Sequence, residues 1–185
     1  MALRCTSALL LRLMFNAHGA GGLLHNAVTA ERASLLEVLW DAHMAHEFDP
    51  GQMSTAATMR TMTDDPHVTH VPTLIGGHGK DEVGGFYEHH FIFSNPEMTI
   101  TPISRTVGFS QIVDEIVIAF NHSRAVDWLA PGVAPTGKEI RFPLVVVVKF
   151  NEQRGELKIA HEHIYWDQAG VLLQLGVLPV SSAAP

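Results

Sequence analysis

Beyond Pro96 the chain stops reading as helix and reads as sheet. Four β-rich runs, 98–107, 112–122, 140–150 and 157–167, follow one another. They are separated by Gly108, by a long connection at 127–137, and by a polar turn at 151–155. Strands joined by such short breaks pair antiparallel, because a parallel crossover needs a dozen residues or more. Before Pro96 the apolar spacing is helical. Leu35, Leu36, Leu39 and Trp40 predict a helix over 31–48, ended by Asp49-Pro50-Gly51. A shorter helix is expected over 53–62, stopped by Asp64-Asp65-Pro66. A short strand follows at 68–73, then a glycine loop at 76–79. A third helix over 80–93 carries Val83, Phe86, Tyr87, His90 and Phe91 on one stripe. Helices first and an antiparallel sheet after make an α+β chain, with the helices packed on a curved, mainly antiparallel sheet.

The 185 residues fit one domain, here 31–178, with an extension over 1–30 and a tail over 179–185. A mean hydropathy of +0.14 is ample for a packed core. The net charge of −7 leaves no basic patch to displace counterions from phosphates, so nucleic acid is not an expected partner. No apolar run is long enough to span a bilayer, and no membrane partner is expected. Cys5 is the lone cysteine, so the fold stands without an internal disulfide. Residues 1–30 contain Arg4 and Arg12, a leucine run and no acidic residue before Glu31. That profile suits a mitochondrial leader, and the expected compartment is the cytoplasm or the mitochondrion.

The densest chemistry lies in His161-Glu162-His163-Ile164-Tyr165-Trp166-Asp167. On a strand, His161, His163, Tyr165 and Asp167 share one face, and Glu162, Ile164 and Trp166 the other. Buried titratable groups must be paired, and their pKa values move toward useful ranges. The His-His-Asp face is therefore the first choice for acid/base chemistry, unless it lies on the outer side of the sheet. Asp114, in the strand 112–122, either pairs with Arg105, Arg124 or Arg141 or serves a pocket. His70 ends the short strand and is a further pocket residue. The pair His161-x-His163 also has metal-ligand spacing, although no cysteine pair or His-Glu-x-x-His helix accompanies it.

Several short motifs occur in the order found in SnoaL-like polyketide cyclases. They are His70-Val71-Pro72, the loop 76–79 with Asp81-Glu82-Val83 and Phe86-Tyr87, then Pro135-Thr136-Gly137-Lys138, Leu157-Lys158-Ile159, and Asp167 before Leu172-Leu173-Gln174-Leu175-Gly176. Over roughly residues 34–178 the chain resembles this family of the nuclear-transport-factor-two-like superfamily. The resemblance implies a cone-shaped fold with a pocket between sheet and helices. It also implies acid/base chemistry without metal or organic cofactor. Asp167 matches the family's aspartate best, and His163 falls where many relatives have tryptophan.

The expected function is a cofactor-independent isomerase, cyclase, dehydratase or hydrolase. Its substrate would be a small apolar carbonyl- or epoxide-bearing metabolite. Asp167 and His163 are the expected acid and base, with His161, His70 and Asp114 assisting. Trp40, Phe86, Tyr87, His90, Phe91, Trp128 and Trp166 would shape the substrate pocket. A homodimer through the sheet is expected. The alternatives are a non-catalytic binding or dimerisation domain of the same shape, or a metal-dependent member using His161 and His163.

Overall fold

The computed structural model describes residues 28–179. The acid-poor segment with Cys5 and most of the C-terminal tail lie outside the described residues. Helix α1 (Ala30–Phe48) starts where the Thr29 hydroxyl accepts the Arg32 amide at 3.2 Å. Helix α2 (Thr55–Thr61) is capped in the same way by Ser54. Strand β1 (Met62–His70) and the short β2 (Ile75–His78) follow, then α3 (Gly79–Phe86), whose last turn widens into a π turn at Tyr87–Phe91. Strands β3 (Thr99–Val107), β4 (Gln111–Asn121), β5 (Glu139–Gln153) and β6 (Glu156–Trp166) complete the sheet, and α4 (Gln168–Leu175) closes the described chain.

The six strands run in the order β2-β1-β6-β5-β4-β3. Every neighbouring pair is antiparallel except β1 and β6, which are parallel. This is the curved, mostly antiparallel sheet expected from the sequence. Alternation along β4 turns Ile112, Asp114, Ile116, Ile118 and Phe120 toward the helices and leaves Val113, Glu115, Val117 and Ala119 half-buried on the other side. The strand is therefore fully buried on its helix-facing side only. Helix α1 lays Leu36, Trp40, His43 and Glu47 into the concavity, one residue per turn of a single stripe. No helix among the described residues is long and apolar enough to cross a membrane.

Three local readings are corrected. Strand β1 begins at Met62 rather than at 68, so Asp64-Asp65-Pro66 lies within a strand. The register shifts between Met62 and His67, and that irregularity accommodates a proline with no N–H to give. The glycine loop is edge strand β2. A Cβ on Gly76 would sit 1.9 Å from the Val68 carbonyl oxygen, and one on Gly77 would sit 2.8 Å from the Glu82 backbone. Only glycine lets this edge approach β1 and α3 so closely. The third correction concerns His90, which is exposed. In the π turn the Ile92 amide donates to the Tyr87 carbonyl at 3.0 Å. The wider turn carries Phe91 and Ile92 inward and leaves His90 in solvent.

The turn between β5 and β6 is tighter than its composition alone shows. Arg154 and Gly155 both have positive φ, 55° and 80°, and Gln153 pairs with Glu156 across them. A two-residue hairpin of this kind matches the twist of its strands.

Candidate active site

A small cavity lies between the sheet and α1, α3 and the 122–138 loop. Trp40, Phe86, Tyr87, Phe91 and Trp128 line it, as the sequence predicts, with apolar sheet residues such as Ile116, Val146 and Ile164. His70 also lines it. Of the lining residues, only Met44 and Phe48 are half-buried rather than buried, so they form the mouth. The cavity measures about 30 Å³, which is room for one or two waters.

Two carboxylates border this apolar space, Glu47 from α1 and Glu162 from β6. Each is 4% exposed. Between them lies His43, fully buried, with Nε2 3.1 Å from Glu47 Oε1 and 3.0 Å from Glu162 Oε1. The Tyr87 hydroxyl donates to Glu162 Oε1 at 2.9 Å and stands 3.2 Å from His43 Nε2. The proton on the other ring nitrogen follows from the neighbours. Thr61 Oγ1 donates to the Thr58 carbonyl at 2.6 Å, so it accepts from His43 Nδ1–H, also at 2.6 Å.

Charge follows from the same geometry. Burial alone would lower the His43 pKa, but the charges of Glu162 and Glu47 outweigh it and lift the value to about 10. His43 is therefore an imidazolium at neutral pH. Burial pushes Glu162 up, yet the His43 charge and the bonds from His43 and Tyr87 hold it below the usual glutamate value. Glu47 goes the other way, since its burial outweighs the pull of His43. The same burial and the two carboxylates keep the Tyr87 phenol protonated. The cluster thus consists of one cation, one carboxylate and one carboxyl group biased toward its acid form, all in an apolar wall. Such a pair can deliver a proton at one point and remove one at another.

His70 is buried beside the cavity in a cage of Phe86, Phe91, Trp128 and Trp166, with ring centroids 4.8–5.9 Å away. Its Nδ1–H donates to the Ile75 carbonyl at 3.2 Å. Burial lowers its pKa to about 4, so it is a neutral imidazole whose Nε2 bears a lone pair.

The other expected site residues lie elsewhere. His161 and His163 point to the convex side of the sheet, because Glu162 and Ile164 between and beside them face the cavity. Asp167 is exposed and opens α4 as its N-cap residue. Asp114 faces α1 and takes the pairing with Arg105. The guanidinium donates to both carboxylate oxygens, at 2.6 and 2.7 Å, and Trp40 Nε1–H donates to Oδ2 at 2.6 Å. Asp114 therefore fixes a cavity-wall tryptophan from behind. Trp166 is half-buried, stacks edge-on with Trp128 at 5.7 Å, and lies outside the lining.

His43, Glu47 and Glu162 are the residues that sequence reasoning does not choose; it reads Glu162 only as lying on the face opposite His161 and His163. A signal existed: Leu36, Trp40, His43 and Glu47 fall at helical spacing on one stripe, and titratable residues at such core positions are costly unless paired. Among the described residues, two groups of side chains could hold a metal ion, His43 with Glu47 and Glu162, and His67 with His161 and His163. In the first, the imidazole already donates to the carboxylates and the cluster satisfies itself.

Solved structures share this architecture. TsrD from Streptomyces laurentii aligns with a TM-score of 0.58 at 13% identity, covering 78% of this chain and 97% of that one. A protein assigned to the SnoaL-like polyketide cyclases from Jannaschia sp. CCS1 aligns at 0.55 and 19% identity, covering 77% and 94%. A ketosteroid isomerase-like protein from Catenulispora acidiphila, in complex with trimethylamine, aligns at 0.54 and 17% identity, covering 76% and 93%. No protein-family model and no curated protein matches the chain. The fold is that of the nuclear-transport-factor-two-like superfamily, with SnoaL-like and ketosteroid isomerase-like proteins among its structural neighbours.

Proposed function

We propose that the protein is an acid/base enzyme that moves protons on a small apolar, carbonyl-bearing substrate bound in the cone. Glu47 acts as acid and Glu162 as base. One observation carries this reading: a Glu-His-Glu-Tyr cluster, buried and closed on itself, borders a cavity whose other lining residues are apolar apart from His70. His43 and Tyr87 are positioning residues that split the two carboxyl groups into an acid and a base. His70 offers an uncharged hydrogen-bond acceptor to orient the substrate. The chemistry expected on the His163 and Asp167 side thus moves to the opposite face of the same strand. At about 30 Å³ the cavity holds only one or two waters, so a substrate requires the half-buried Met44 and Phe48 at its mouth to move outward.

The small cavity also favours a second reading, in which the cluster serves only to close the core and the domain binds no substrate. Deuterium exchange separates the two. Small enones, lactones and ketones are incubated with the protein in D2O, and loss of α-protons is followed by NMR. Exchange above the buffer rate, reduced at least about 100-fold by Glu162→Gln, is the expected result, because a positioned base contributes about 10²–10⁴-fold. No exchange with any of these compounds, or equal exchange in wild type and variant, would overturn the catalytic reading.

A further inference from the structure

The convex face carries a second histidine cluster that the proposed reaction does not use. Strands β1 and β6 lie side by side and parallel, with His67 paired to His161 and Thr69 to His163. Their outward side chains bring three imidazoles together. Ring centroids are 4.5 Å apart for His67 and His161, 4.5 Å for His161 and His163, and 5.1 Å for His67 and His163. One ligand nitrogen of each residue lies within 4.8 Å of the others, and the Nε2 atoms of His67 and His163 are 3.0 Å apart. Imidazoles bound to one tetrahedral zinc have nitrogens roughly 3.3 Å apart, from Zn–N bonds of about 2.0–2.1 Å.

We propose that His67, His161 and His163 form a mononuclear site for a divalent transition metal, zinc by preference, on the convex face of the sheet. The donor set is three neutral nitrogens without carboxylate or thiolate. That composition suits zinc, copper or nickel and disfavours calcium and magnesium, which take oxygen ligands. All three residues are half-buried, so the strands hold the rings while the outer side stays open. His78 adds shielding by stacking on His67 at 5.2 Å. Three protein ligands leave a fourth position for water. The site is separate from the cone, because Glu162 between His161 and His163 faces the other way.

The test uses the full chain, stripped of metal with a chelator and titrated with Zn²⁺ alone by calorimetry. Co²⁺ then serves as a visible reporter of tetrahedral nitrogen ligation. One equivalent of Zn²⁺ is expected to bind, with a tetrahedral Co²⁺ spectrum. The double variant H161A/H163A should lose at least about 100-fold in affinity, since even outer-shell changes cost about 10–100-fold. H163Q, which keeps bulk and polarity, covers the case in which the double variant fails to fold, judged by circular dichroism, and should also weaken binding and abolish the cobalt spectrum. H89A, at an exposed histidine on the π turn, should bind as wild type. Unchanged binding in the histidine variants, binding without one-to-one stoichiometry, or binding that follows Glu162→Gln instead, would overturn the site. The histidine variants lie on the face opposite the cone, so their results do not bear on deuterium exchange there and the two proposals fail independently.

Discussion

Strand β6 has a histidine cluster on each side, and the two behave as opposites. On the concave side His43 sits between Glu47 and Glu162 and is driven toward its charged form, with a pKa near 10. On the convex side His161 sits among other imidazoles and beside Lys149, and burial together with those neighbours drives it toward its neutral form, near 4. The same side chain becomes a fixed cation or a free lone pair according to what the adjacent strand and helix supply. The first arrangement handles protons and the second suits a metal. A count of histidines in the sequence shows neither.

The largest test of this contrast is a pair of substitutions on neighbouring residues. Glu162→Leu removes one partner of a buried ion cluster and should cost about 3–5 kcal/mol. His163→Gln in metal-free protein should cost no more than about 1 kcal/mol, the scale of one hydrogen bond. Urea unfolding of the two variants gives the comparison, and equal losses would break it. Next in size is Asp114→Ala, which strands the Trp40 indole N–H and leaves Arg105 with Asp41 alone. A loss of about 1–3 kcal/mol is expected, with a shift in tryptophan emission as the cavity wall loosens.

The pH dependence of stability should fall off on both sides for different reasons. The His43 pKa is raised on folding, so its contribution is full below about 6.5 and is lost as pH rises toward 10. The His70 pKa is depressed on folding, so stability is full above about 6.5 and is lost as pH falls toward 4. Thermal unfolding across pH 4–10 checks both limbs, and a flat alkaline limb would remove the charge assigned to His43. The smallest effect is expected on the convex surface itself, where Tyr165→Thr should change stability by no more than about 0.5 kcal/mol in a denaturant titration.

Much of the fold was legible because periodicity and turn chemistry agreed. Strands β3 to β6 fell where β-branched runs and glycine breaks placed them, and the stripe of α1 was visible from Leu36 and Trp40. The failures have specific causes. The start of β1 contains residues that disfavour strands, and β6, distant in sequence, pairs with it on either side of them, at Met62 and again from His67. The glycines of β2 look like a loop until the crowding against Val68 is known. The cavity aromatics could be named because large apolar residues on helical stripes go inward. The acid and base could not be chosen in the same way. Alternation divides β6 into two faces, but it does not say which one meets the helices, and the richer-looking face turned out to be the convex one.

The parallel pairing of β1 with β6 also has a consequence in time. His43 and Glu47 are synthesised early, while Glu162 and the strand that holds it come more than 100 residues later. Contacts this distant along the chain form slowly, because the loop must close before they reward it. Until β6 docks, Glu47 is the one carboxylate of the cluster that His43 can meet, and the charge balance that closes the cluster is missing. Docking of the last strand is therefore the step that brings Glu162 to the cluster. A nascent chain halted before it would expose the apolar stripe of α1 to whatever chaperone or hydrophobic surface was nearest.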